Sequence, residues 1–196
     1  MIRKMILSSL CAALVFSFMG CTSTVMLNYS VGESSSSADI GKGKQIKVEV
    51  KDNRADPEII GYGENQYGMR AGTVKLSDPN ISKDIKDKVQ NRLLALGYKI
   101  DATTNDILTI SMNSIEGIAK PKFTNVQAEA TATFGVTYST NNSVTYNKNF
   151  EGKGSGSAFS GWGKPVKGAV ENALKDGIQK ILFDSALHDA MVGKEQ

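Results

Sequence analysis

The run Val126-Gln127-Ala128-Glu129-Ala130-Thr131-Ala132-Thr133-Phe134-Gly135-Val136-Thr137-Tyr138 alternates along its length. Val126, Ala128, Ala130, Ala132, Phe134, Val136 and Tyr138 share one side, and Gln127, Glu129, Thr131, Thr133 and Thr137 share the other. A period of two with one apolar face is the pattern of a half-buried β-strand. Asn141-Asn142 then turns the chain, and Val144 to Glu151 reads as the return strand of a hairpin. On the upstream side, Ile107 to Ile118 reads as a strand with Leu108, Ile110 and Met112 on one face, before Lys120-Pro121-Lys122 interrupts it. Three neighbouring antiparallel strands with small alanines inside suit a helix lying close against the sheet.

The helices that could fill that role are legible on both sides. Ile81, Ile85, Val89, Leu93 and Leu96 recur at three- and four-residue steps, while Lys83, Asp84, Lys86, Asp87, Lys88, Gln90 and Arg92 form a polar face. Asp78 and Asn80 offer N-cap oxygens, and Gly97 supplies a left-handed stop. A second stripe, Val166, Val170, Leu174, Ile178, Ile181 and Leu182, predicts a helix from about Pro165 to Leu182, and a short helix from Ser185 to Met191 follows. Ile46, Val48 and Val50 alternate with Lys47, Glu49 and Lys51 as a further strand, and Thr73 to Leu76 and Tyr98 to Ile100 are brief ones. Ile59 to Gly72 reads as a long loop or irregular hairpin, and Gly152 to Gly163 as a flexible connection. The fold class is α/β (α+β): a mainly antiparallel, mixed-edge sheet with two long helices packed on one face, in a single domain over residues 45–196.

Upstream of the domain the composition changes. Arg3 and Lys4 precede an uncharged, mostly apolar stretch from Met5 to Met19, and then Gly20-Cys21. A positive start, a short apolar run and a small residue are the parts of a secretory signal peptide, and the run falls short of the roughly 20 residues that span a bilayer. Phe18-Met19-Gly20-Cys21 resembles the lipobox of bacterial lipoproteins. The resemblance implies removal of residues 1–20, acylation of Cys21, and, with Thr22 rather than Asp next, placement at the outer membrane. Residues 21–44, with Ser34-Ser35-Ser36-Ser37 and Gly41-Lys42-Gly43-Lys44, read as a flexible tether of roughly 25 to 30 Å. Within it, Val25 to Tyr29 could pair as an edge strand.

Several chemistries fail on the residues. The chain carries a formal charge of +3, and loss of Arg3 and Lys4 leaves +1, too little excess for a nucleic-acid footprint. The cysteines are Cys11 and Cys21, so the mature domain has no disulfide pair and no Cys-based metal site. Gly152-Lys153-Gly154-Ser155-Gly156 misses the dinucleotide spacing, and Gly163-Lys164-Pro165 lacks the hydroxyl that a phosphate loop offers magnesium. The single histidine, His188, stands near no nucleophile elbow and reads as a surface or capping residue. Asp52, Asp56 and Glu58 lack the spacing of a calcium loop. No catalytic residue, metal or cofactor is expected, and the chain is not expected to be an enzyme. Phe159 and Trp162, large aromatics in a Gly- and Ser-rich stretch, either fold under it or contact a partner.

The motifs Val89-Gln90-Asn91-Arg92-Leu93-Leu94-Ala95-Leu96-Gly97-Tyr98, Asp106-Ile107-Leu108-Thr109-Ile110, Ala128-Glu129-Ala130, Gly154-Ser155-Gly156-Ser157-Ala158-Phe159 and Ala169-Val170-Glu171-Asn172-Ala173-Leu174 together resemble the YajG family of small Gram-negative lipoproteins. The resemblance covers roughly Lys47 to Met191. It implies a periplasm-facing outer-membrane lipoprotein, and it carries no catalytic residue. The expected function is that of a non-enzymatic accessory or adaptor in a cell-envelope assembly. It would be held to the membrane through acylated Cys21 and would meet an envelope protein. The alternative is a lipid- or glycan-binding carrier, similar in layout to envelope transport lipoproteins, with the alanine run lining a cleft.

Overall fold

The computed structural model describes residues 21–32 and 39–193. The expected leader, 1–20, and the run Ser34 to Ser37 lie outside them.

Eight strands and three helices follow in order: β1 (Cys21–Val25), β2 (Gln45–Asp52), β3 (Ile59–Glu64), β4 (Arg70–Leu76), α1 (Ile81–Ala95), β5 (Lys99–Ile100), β6 (Asp106–Pro121), β7 (Val126–Thr140), β8 (Ser143–Ala158), α2 (Gly163–Leu182) and α3 (Ser185–Val192). All strands join one mixed sheet. Its long ladders, β6 with β7 and β7 with β8, are antiparallel. Around them β2 and β3 pair β6 in parallel, β3 and β4 form an antiparallel hairpin, and β1 adds to β4 in parallel.

β6 is the spine. One edge pairs with β7 throughout, and the other is shared, first by β2 and then by β3. The hand-over falls at a bulge at Asn113, where the register with β7 slips between Met112 and Ser114. An extra residue reverses the parity of a strand. Leu108, Ile110 and Met112 therefore face the core before the bulge, and Ile115 and Ala119 face it after.

The alternation in β7 holds throughout, with Ala128, Ala130, Ala132, Phe134, Val136 and Tyr138 buried. Asn141 and Asn142 both have positive φ, 49° and 66°, as a two-residue hairpin turn requires. The predicted flexible connection at Gly152 to Gly163 is corrected for most of its length, because β8 runs on to Ala158. Glycine is a poor strand former in isolation. Here it is needed because α2 rests directly on the strand. A Cβ at Gly152, Gly154 or Gly156 would stand 2.0, 2.1 or 2.2 Å from the carbonyl oxygens of Ala173, Ala169 and Pro165. The helix side of this contact is also small: Ala169, Ala173 and Gly177 recur at steps of four.

Helix α2 also covers the outer edge of β8 from Glu151 to Ser155, which would otherwise offer free backbone groups to another chain. Asp176 accepts the Lys153 N–H at 2.9 Å, Asn172 donates to the Ser155 carbonyl at 2.9 Å, and Lys180 donates to the Glu151 carbonyl at 2.9 Å.

The stripe of α1 is buried as predicted, and Gly97 has φ +87°. Two details of α1 differ. Asn80 makes no side-chain cap and instead accepts the Ser82 hydroxyl at 3.4 Å. Arg92, assigned to the polar face, is buried, with its guanidinium carbon 5.9 Å from the Phe183 ring centre.

The expected free tether over 21–44 is corrected where it is described. The edge strand forms earlier than predicted, at Cys21–Val25, because β4 leaves an edge unpaired there. Tyr29 is buried, with the Lys88 ammonium 4.6 Å from its ring centre, and the Asn28 N–H donates to Glu171 on α2. Gly41 N–H donates to the Leu96 carbonyl at 2.8 Å, so the chain re-enters the domain before β2.

Candidate functional site

Strand directions gather one set of termini at one end of the sheet. Cys21 pairs with Gly72, Glu64 with Arg70, Pro121 with Val126, and Val126 with Ala158. The start of β1, the β3–β4 turn, the β6–β7 turn and the β8–α2 connection therefore lie together. Cys21 is exposed, and its thiol is free.

Phe159 and Trp162, paired in the sequence, separate here. The Trp162 ring lies on the backbone of β3 and β4: a Cβ at Gly63 would stand 2.2 Å from it, and one at Gly72 2.4 Å. Gly72 is also the partner of Cys21, so the indole fills the face beside the cysteine. Phe159 is 94% exposed.

Three exposed residues at the same end were not singled out in the sequence: Tyr67 (76%), Met69 (59%) and Phe123 (104%). Their turns are tied down. Asn65 Oδ1 accepts the N–H groups of Tyr67 and Met69 at 2.9 and 3.1 Å, and Gly68 takes φ +76°. Lys122 N–H donates to the Asn125 carbonyl at 2.7 Å. Tyr67 and Met69 share one polar turn and Phe123 stands in another, which gives no periodic signal; only strand pairing brings the turns together.

The charges at this end are mixed, with Glu116 and Glu129 lining a groove beside Lys120 and Lys122. Lys122 and Lys164 are exposed, Lys120 meets Glu64 at 3.3 Å, and the Arg70 guanidinium lies 4.0 Å from the Tyr62 ring centre. Burial, with Glu116 and Glu64 nearby, pushes the Tyr62 hydroxyl above its ordinary value. Beside these residues lies an open groove of about 340 Å³, lined by Arg54, Tyr62, Arg70 and Glu116.

The acidic stretch before β3 is internally neutralised. Arg54 pairs with Asp52 at 2.8 Å and donates to the Pro57 carbonyl at 2.7 Å, while Asp56 accepts the Glu58 and Ile59 N–H groups. Of the surface and capping roles read for His188, the surface one is corrected and the capping one is met at the C-terminal end of α2. Its ring is buried; Nε2 donates to the Leu182 carbonyl at 2.7 Å, which leaves Nδ1 to accept the Tyr98 hydroxyl at 2.8 Å. The reason is topological: α3 folds back over the start of β5, where Tyr98 waits. Burial drives the Tyr98 hydroxyl well above its ordinary value.

Comparisons with known proteins agree with this architecture. A crystal structure of a DUF330-family protein from Xanthomonas campestris superposes with a TM-score of 0.60 at 15% identity, covering 88% of this chain and all of that one. A putative neuraminyllactose-binding hemagglutinin homolog from Helicobacter pylori gives 0.50 at 7% identity, covering 86% of this chain and all of that one. At these identities the likeness is one of fold. No curated protein matches the chain. A family model described as "uncharacterized lipoprotein" matches residues 33–192, which takes in every element from β2 to α3 and bears out the YajG-type resemblance. The chain belongs to this lipoprotein family.

Proposed function

We propose that this chain is a lipid-anchored accessory protein of the Gram-negative envelope, held at the periplasmic face of the outer membrane through acylated Cys21 and acting by contact rather than catalysis. The observation that carries the reading is Phe18-Met19-Gly20-Cys21, whose cysteine begins β1 and is exposed. Family membership supports the lipoprotein part. Among the described residues no helix is long and apolar enough to cross a membrane. The non-enzymatic part is supported by His188, whose two ring nitrogens are both engaged internally and offer no base to a nucleophile. The carrier alternative loses its motive, because the alanines of β7 are buried rather than lining a cleft.

Mass spectrometry of the native protein tests the anchor: the chain should begin at Cys21 and carry acyl mass. A bare thiol, or a retained leader, would overturn it. Cys21→Ala should leave the membrane fraction of density-separated envelopes. In-cell cross-linking tests the accessory role, which fails if no envelope protein is recovered above background.

A further inference from the structure

We infer that the end of the sheet bearing Cys21 is itself a membrane-docking surface, so that the domain lies against the bilayer in one orientation instead of floating on a leash. The inference rests on the lipid-anchor reading above and adds an orientation to it. Three observations carry it.

The first is the placement of the anchor. Cys21 is hydrogen-bonded into the sheet through β1, and the chain from there to Tyr29 is packed on the domain. A lipid on this sulfur leaves no slack between the bilayer and the strand that holds it.

The second is the position of the exposed apolar side chains. The three most exposed large hydrophobic residues among those described are Phe123, Phe159 and Tyr67, and all three sit at the Cys21 end with Met69 beside Tyr67. Each stands at a separate turn, and the turns of Tyr67 and Phe123 are held by hydrogen bonds. Separate aromatic prongs on preordered turns suit an interface with a fluid acyl layer, into which each side chain can enter independently. Aromatic rings also favour the boundary between headgroups and acyl chains.

The third is charge. Lys122 is adjacent to Phe123 and exposed, and Lys164 opens α2 close to Phe159. Lysines beside inserted aromatics match anionic headgroups, whose attraction adds to apolar insertion.

The experiment uses the acylated protein in vesicles of phosphatidylethanolamine and phosphatidylglycerol containing nitroxide-labelled lipid. With Cys21 acylated, a cysteine placed elsewhere is the single open thiol, because Cys11 lies in the leader. Phe123→Cys and Phe159→Cys put an environment-sensitive fluorophore on the docking end. Val144→Cys puts it on an exposed apolar position beside the β7–β8 turn, at the opposite end. Roughly half the fluorescence at 123 and 159 should be quenched, since interfacial insertion reaches about 5–10 Å into the boundary, and the signal at 144 should be unchanged. Equal quenching at the two ends, or none at either, would overturn the inference. A blue shift without quenching would also overturn it, by assigning the tips to a protein contact. Label incorporation at Cys21 in the protein without an added cysteine would instead remove the anchor reading, and this control separates that failure from a failure of the docking surface.

Discussion

At Trp162 and Phe159, two aromatics three positions apart have opposite fates, and the cause is what lies under each. Gly63 and Gly72 leave a flat backbone floor that takes the indole, while no strand lies beneath Phe159. Trp162→Ala should therefore cost about 2–4 kcal/mol, since a packed ring is replaced by a void against glycine. Phe159→Ala should stay within about 0.5 kcal/mol, as surface substitutions do. Urea titration of both variants checks this. Equal losses would mean that Phe159 is packed too. Sequence reading recognised the pair as unusual but had no means of dividing it, because the floor is built from residues some 90 to 100 positions upstream.

At the level of elements, the seating of α2 on β8 leaves no room for side chains at Gly152, Gly154 and Gly156 of the strand. Glycines on the strand face alanines and a glycine on the helix, so backbone meets backbone. Gly154→Ala places a methyl carbon 2.1 Å from the Ala169 carbonyl oxygen, a clash that only a shift of the helix relieves. A loss of about 2–3 kcal/mol follows from the usual cost of overpacking. Thermal unfolding of this variant beside Gly68→Ala gives the comparison, because nothing stands within 4 Å of a Cβ there and the penalty is backbone strain alone. A smaller loss at 154 than at 68 would contradict the close seating. Both stripes of the long helices were legible, since burial follows a period of 3.6. The extension of β8 was not, because glycine in a sequence signals freedom unless the neighbour that excludes a side chain is known.

Across the domain, carboxylates tie elements that are distant in the chain. Lys44 before β2 meets Asp106 of β6 at 2.7 Å, Lys148 of β8 meets Asp184 at the start of α3, and Asp176 of α2 accepts from β8. Burial raises each of these carboxyls, but their partners outweigh it: Lys44 for Asp106, Lys180 for Asp176 and Lys148 for Asp184. All three stand below their ordinary values. A carboxyl with a depressed folded-state value contributes stability that is complete above its unfolded value, about 3.9, and is lost as pH falls through the folded one. The urea midpoint should hold from pH 7 to about pH 5 and decline below about pH 4. Solvent and salt screen these pairs, so the decline should be modest and weaker in salt. A midpoint that rises on acidification would contradict this account.

Local pattern sufficed for the strands of the central hairpin, the stripes of both long helices and the turn at Asn141-Asn142. Each is written by the repeat distance of a strand or helix, or by a backbone angle. The packed segment from Cys21 to Tyr29, the bulge that lets β6 serve two partners, the buried histidine and the gathering of Cys21 with Tyr67, Phe123 and Phe159 became visible only with the sheet assembled. They depend on which strand lies beside which, and pairings between residues as far apart as Cys21 and Gly72 leave no trace in the spacing of either segment.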